Sequence, residues 1–540
     1  MIEKLLENWL DSASERSYQA VFVQMLNAQG YRVVHSTRHN VLEFGKDILA
    51  IAPDGIGCAF QLKGNPGGRI GLSQFRSEIQ PQLVQLMTQP VVYPGFPEGT
   101  HRSYLVSNGY FEEEVIVAVQ QLNLNSSYPS KVQLISRGEL LPWCHDFGVK
   151  LWPSELSDTR TLLEIYLSDP KDQLPKKQLF EMLSIVLNLD GLEAKRLKRP
   201  ALDRALTSAA LLTGIVTAHF AESENHYAVV ESWVLFSALL IATTKKHAFK
   251  VNGTILETLR LAENNAYEAL LQLWREVSSK KYLVEGNVFT DPEVYGWRIT
   301  TLMGLLSSFA LANEKLSLLN DDESEALHKW LKNPPKPIDL WGEAAVASLL
   351  PWMVWLRKND STLRPDNEIY ALSNAVITRN QSNSDVPLAA PYYDFSEVGK
   401  HQFQLLKMGE GSLSERETFA GSAFTAQTLM HLMVRTKNKS KCKELWPNFS
   451  RISHRGLDFD EGWHYCLLKV RAGVENTHIY PSTYKWTNLK SDALELTSYI
   501  PEAMSERPSL LSLWWQVAPH RLNSVSAFTF IESVLPKWGS

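Results

Sequence analysis

The first 150 residues alternate between helical and strand-like patterning. From Ser14 to Gln29 apolar side chains recur at helical spacing, with Val21, Met25 and Leu26 on one side, and Gly30 stops the run. Tyr31 to Val34 reads as a strand. Asp47 to Ala52 is a short apolar strand, Pro53-Asp54-Gly55 a turn, and Ile56 to Lys63 a second strand. Leu72 to Met87 follows helical spacing apart from Pro81. Tyr104 to Ser107 reads as a strand, Phe111 to Leu122 as a helix and Val132 to Ser136 as a strand. This order predicts an α/β sandwich over residues 1–150, a mixed central sheet flanked by helices.

Beyond residue 150 the strand signals fade, and the expectation is a large all-α region. Long helical patterns fill 151–378, and residues 379–399 break them like a linker or long loop. Helical patterning then returns over 400–540 as a C-terminal helical domain. Residues 1–150 are expected to close a complete core of their own. Tyr227 to Thr244 is almost wholly apolar, but Glu231 and Ser232 interrupt it, and similar stretches recur at 207–219, 300–312 and 343–356. They are expected to be buried helices, with no membrane involved.

Composition narrows the class little. The chain has 540 residues, 44% hydrophobic and 21% charged, with a formal net charge of -5. It is long enough for several domains and has no global attraction for nucleic acid, so any such surface must be a local patch. Cys58, Cys144, Cys442 and Cys466 lie far apart, without zinc-site or disulfide spacing, and the acidic first residues lack the features of a signal peptide. Both observations point to the cytoplasm. No GxxxxGK[ST] sequence occurs, which speaks against ATP-driven translocation.

The hairpin 47–63 carries the chemistry. Gln61 and Lys63 are two apart on one strand and share a face, while Cys58, Phe60 and Leu62 point the other way. The midpoint of 47 and 61 is 54, which falls in the Pro53-Asp54-Gly55 turn. Asp47 is therefore expected opposite Gln61, or one residue from it. A carboxylate, an amide oxygen and an ammonium then meet at one end of the hairpin. Hard cations such as Mg²⁺ or Mn²⁺ prefer oxygen ligands. Asp47 would supply the anionic ligand, with the Gln61 side-chain oxygen and the Leu62 backbone carbonyl beside it. Lys63 would orient water or neutralise developing charge.

Asp47…Gln61-Leu62-Lys63 resembles the D…(E/Q)xK signature of the PD-(D/E)xK nucleases. Gly30-Tyr31, Gly45-Lys46-Asp47, Leu105-Val106-Ser107-Asn108-Gly109 and Leu134-Ile135-Ser136-Arg137-Gly138-Glu139-Leu140 are similar to segments of the Mrr-like restriction endonucleases. The resemblance covers the first 150 residues. It implies a restriction-endonuclease-like fold, Mg²⁺-dependent hydrolysis of DNA, and service in defence against phage or foreign DNA. It also implies a catalytic role for a helix-borne acid, which falls here on Gln19. That residue is uncharged, and Glu15, one helical turn earlier, could substitute for it.

Several other groups remain candidates. Gly64-Asn65-Pro66-Gly67-Gly68-Arg69 is either a DNA-approaching loop, acting with Arg69 and Arg76, or a plain connection. Lys195 to Arg199 and Arg435 to Lys441 are basic runs that read first as solvated surface. His35 and His39 read as surface histidines, and Glu43 and Glu78 are near enough in sequence to serve as spare metal ligands but read first as surface. The helical region is expected to dock another subunit or a second copy. The alternative overall reading is an inactive nuclease fold that binds DNA or a protein as a scaffold.

Overall fold

The computed structural model describes residues 7–536, apart from 8, 12, 14, 37–45, 94, 126, 152–158, 190–196, 281, 286–291, 335–338, 361, 363–364, 385, 407–419, 458–460, 470–474 and 496–499. His39, Glu43, Gly45, Lys195 and Arg196 lie outside the described residues. The chain divides into two compact units, residues 1–236 with 252–265, and residues 237–251 with 266–540.

The first unit opens with helix α1 (Glu15–Ala28), which Gly30 closes at φ +86°, a backbone conformation that side chains with a Cβ resist. Strands β1 (Arg32–Ser36), β2 (Ile48–Ile51) and β3 (Gly57–Lys63) form an antiparallel meander. After β4 (Arg69–Ile70) the chain passes through a π-helical turn, Phe75–Ile79, into α2 (Gln80–Thr88). The widened turn lies just before Pro81, which the first turn of α2 tolerates but whose ring and missing amide break the regular ladder to the turn before it. Then come β5 (Arg102–Ser107), β6 (Tyr110–Phe111), α3 (Glu113–Leu124), β7 (Val132–Ile135) and α4 (Arg137–Leu151). The sheet order is β1-β2-β3-β5-β7, with β3, β5 and β7 parallel, and β4 pairs with β6 apart from it. The expected mixed α/β sheet with flanking helices is present.

Both faces of this sheet are covered. Cys58, Phe60, Leu62, Tyr104 and Val106 join one core with Tyr18, Phe22 and Met25 of α1 and Leu140 of α4. Ala59 and Leu105 join the other, with Leu83 and Leu86 of α2 and Val115 and Val119 of α3.

Residues 1–150 do not close the first core alone. Leu211, Ile215 and Ala218 of the helix Arg199–Glu222 belong to it, and a Cβ on Gly214 would stand 3.3 Å from Val21 Cγ2. The expectation of a self-sufficient domain ending near 150 is corrected accordingly. An apolar stripe says that a helix is buried, not against what.

In the second unit the helices Pro292–Leu316, Ala345–Asn359 and Pro508–Val517 pack together. Ser512 Oγ donates to Ser308 Oγ across 2.8 Å within that packing. The region is largely helical but not all-α. Strands β8 (Ser422–Ala423), β9 (Ser453–Leu457) and β10 (Glu475–His478) form a sheet in the order β10-β9-β8. Their sequences, such as Ser-His-Arg-Gly-Leu and Glu-Asn-Thr-His, are short and polar and show no apolar alternation.

The stretch expected as a linker at 379–399 is irregular only between two helices, one ending at Arg379 and the next starting at Phe395. It does not hang free. Leu388, Ala389 and Ala390 are buried, and Asn380 accepts from the Leu388 amide at 3.0 Å. Two helices are long and apolar enough to cross a membrane, Arg199–Glu222 and His226–Lys246, but 78% and 94% of their most apolar windows are buried inside the chain.

Candidate metal and nucleic-acid site

The β2–β3 register decides the site. Ile48 pairs with Phe60, Leu49 with Ala59 and Ala50 with Cys58. Continued one step, this register sets Asp47 opposite Gln61, centred on the turn at Asp54. The turn is held by the Ala52 amide bonding the Ile56 carbonyl at 2.9 Å and the Ile56 amide bonding Asp54 Oδ1 at 3.2 Å.

Asp47 is 6% exposed and Gln61 4%. The Asp47 amide donates to the Phe60 carbonyl at 2.8 Å. Its Oδ2 accepts from Gln61 Nε2 and from the Leu62 amide, both at 2.6 Å. Gln61 Nε2 also reaches the Leu62 carbonyl at 3.3 Å. Among the described residues Gln61 Oε1, which is buried, has no hydrogen-bond partner. A buried amide oxygen left without a donor is an unfavourable arrangement that a cation would relieve. Gln61 presents its Nε2 to both Asp47 Oδ2 and the Leu62 carbonyl, so the all-oxygen donor set of Asp47, Gln61 and Leu62 that a hard divalent ion takes requires the Gln61 amide to turn over. That set holds one carboxylate. Among the described residues no three His, Cys, Asp or Glu side chains gather into a metal cage.

No family model, curated protein or solved structure matches the chain. The reading of this site therefore rests on its residues.

Lys63 ends β3, two residues past Gln61 on the same face of the strand. It is half-buried, and among the described residues its ammonium makes no ion pair. Its backbone is gripped from below by Tyr18. The phenol oxygen lies 3.2 Å from the Lys63 amide, the Lys63 carbonyl and the Val106 carbonyl. Burial, with Glu15 and Asp47 adding, holds the Tyr18 hydroxyl well above the usual phenol range, so it stays protonated. Glu15 Oε2 accepts the Gly64 amide at 2.9 Å, which brings this carboxylate to the exit of β3. The approach is so close that a Cβ on Gly64 would stand 2.8 Å from the Glu15 amide nitrogen. Gln19 is buried on α1, one residue beyond Tyr18.

The glycine loop after Lys63 is anchored by Asn108, which sequence reasoning assigned to a strand motif without a task. Asn108 Oδ1 accepts the Asn65 amide at 2.9 Å, and its Nδ2 donates to the Leu10 and Ala13 carbonyls at 2.9 and 2.7 Å. Arg69 and Arg76 are exposed, and among the described residues neither is engaged in an ion pair. Glu78 is exposed on the π-helical turn and hydrogen-bonds none of the site residues. His35 stacks near Tyr93, with ring centroids 4.6 Å apart. A lysine that the sequence did not single out, Lys46, is buried beside Asp47, and burial pushes it down to about 8. Three cations of the run Arg435 to Lys441 make internal contacts. Arg435 pairs with Glu532, Lys439 lies over Trp486, and Lys441 bonds Asn367.

Proposed function

We propose that the N-terminal unit is a metal-dependent endonuclease that hydrolyses DNA phosphodiester bonds. One observation carries the reading. The Asp47 carboxylate, an unpartnered Gln61 oxygen and the Lys63 ammonium share one end of a single hairpin. A bound Mg²⁺ or Mn²⁺ would supply Lewis-acid polarisation of the phosphate and ease deprotonation of water. Asp47, Gln61 and the Leu62 carbonyl would hold it, with Glu15 near enough to add charge. Lys63 would bind a phosphate oxygen or orient the attacking water, and its charge would count most as charge develops in the transition state. Arg69 and Arg76 would position the DNA backbone. A part in defence against foreign DNA rests on the resemblance to Mrr-like enzymes alone.

The presence of a single carboxylate in the hairpin donor set favours a second reading, a nuclease fold that binds DNA without cutting. Incubating the full chain with plasmid, linear and single-stranded DNA, in Mg²⁺, Mn²⁺ or EDTA, separates the two. Nicking that EDTA abolishes is the expected result. DNA binding that is indifferent to metal, with no cutting under any condition, would install the scaffold reading instead.

A further inference from the structure

Sheet β10-β9-β8 floors a second concave site in the other unit. Its cleft holds about 250 Å³ and is walled by the helices Ala426–Arg435 and Ser524–Val534. A neighbouring groove of about 430 Å³ shares Phe424, Arg455, Gly456 and Asn476 with it. The two depressions are thus one surface feature with Arg455 at the junction.

None of the described residues lining the cleft is acidic, whereas Arg455, His431, His478 and His520 all line it. Glu475 lines the neighbouring groove, and the buried Glu343 carboxylate accepts the amides of Phe424 and Thr425 from behind the lining. The helix Ser524–Val534 begins at the cleft wall. Its Asn523 cap satisfies the Ser526 amide, and the amides of Ser524 and Val525 have no partner within the helix.

His431 supplies an independent pointer. It is 2% exposed, its Nδ1 lies 2.9 Å from Ser524 Oγ, and its Nε2 has no partner. Burial, with His454, His478 and Arg435 adding, pulls it down to about 4, so the ring is neutral near pH 7. When the Ser524 hydroxyl donates to Nδ1, Nε2 carries the hydrogen and is a donor. Asn476 also lines the cleft, and its Oδ1 is unpartnered. A serine beside a histidine invites a catalytic reading, but burial dominates the surroundings of His431 and no carboxylate is among the groups that perturb it. Among the described residues no carboxylate orients the ring as a general base requires.

We infer that this cleft binds a small phosphorylated molecule of nucleotide size. Its phosphoryl group would sit among Arg455, His431 Nε2 and the first turn of Ser524–Val534. Its body would lie along Phe424 into the neighbouring groove. Arg455 lies 5.5 Å from the Phe424 ring centroid, so cation and aromatic face are already presented together. The site is separate from the hairpin of Asp47, and the inference does not depend on nuclease activity.

The test is calorimetry on the full chain in EDTA, with inorganic phosphate, adenosine and the four ribonucleoside 5′-monophosphates as probes. Saturable binding of at least one nucleotide, tighter than phosphate and absent for adenosine, is expected. Arg455→Gln should weaken it tenfold or more. His478→Ala, at an exposed position that leaves the fold alone, should weaken it severalfold. Asp47→Asn should leave it unchanged. The inference is overturned if no phosphate-bearing probe binds, if adenosine binds as well as its phosphate, or if binding follows Asp47 and ignores both Arg455 and His478.

Discussion

The Tyr18 hydroxyl stands 3.2 Å from both the amide nitrogen and the carbonyl oxygen of Lys63. A residue in the first helix thereby fixes the backbone from which the candidate catalytic ammonium projects. Tyr18→Phe removes one buried oxygen and strands its partners, which costs about 1–3 kcal/mol. A lowered melting temperature is expected, and in an active enzyme a drop in turnover larger than any change in DNA affinity. A variant with wild-type stability and turnover would show that this contact positions nothing.

Asp47→Asn keeps the shape of the hairpin while removing its charge. Cutting in Mg²⁺ should fall by at least about 10²-fold, as for loss of a group central to an electrostatic site. Circular dichroism should remain that of the wild type. Undiminished nicking by the folded variant would remove Asp47 from the mechanism.

Lys63, Arg69 and Arg76 should separate by phenotype. Lys63→Ala is expected to bind DNA and fail to cut it, losing about 10²–10³ in rate. Arg69→Ala and Arg76→Ala should each weaken binding and lower the salt slope by about one unit while some cutting persists. Filter binding over a salt series, run beside single-turnover cleavage, reads both quantities.

Two buried imidazoles in the second unit predict acid sensitivity. Burial lowers His431 and His454 to about 4, each from the ordinary 6.5. The unfolded chain binds more protons between these limits. The stability held by the neutral rings is therefore full above pH 6.5 and is lost as pH falls towards 4. Denaturant unfolding across this window should show the loss, and His454→Gln should flatten it. The same slope in that variant would assign the acid response to other groups.

Much of the first unit is legible in the sequence. The Pro53-Asp54-Gly55 turn fixes the hairpin midpoint, and the midpoint fixes which side chains face each other, so the Asp47–Gln61 pairing follows from counting. Tyr18 was harder to read. At three residues before Val21 and seven before Met25 it falls on the apolar face of α1 and reads as core. The signal in it is the hydroxyl, which demands a partner when buried. Strands β8 to β10 are not legible because they are two, five and four residues long and show no apolar alternation. His431 and Arg455 lie 24 positions apart in the chain, and only the sheet brings them to one cleft.

A fragment ending at residue 150 should behave poorly. Without the helix Arg199–Glu222, the α1 surface that meets Leu211, Ile215 and Ala218 is open to water. Expression of 1–150 is expected to give aggregated or dye-binding protein, whereas a chain reaching 265 keeps every residue of the unit. A monomeric, cooperatively melting 1–150 fragment would refute the shared core.

That shared core also has a mechanical side. Close-packed interiors transmit displacement instead of absorbing it. A shift of Arg199–Glu222 by an ångström at Gly214 meets Val21, and Val21 lies one turn along α1 from Tyr18. Tyr18 in turn hydrogen-bonds the backbone of Lys63. The helix that completes the fold of the first unit is therefore linked by direct packing, through Val21, to the helix that holds the backbone of Lys63.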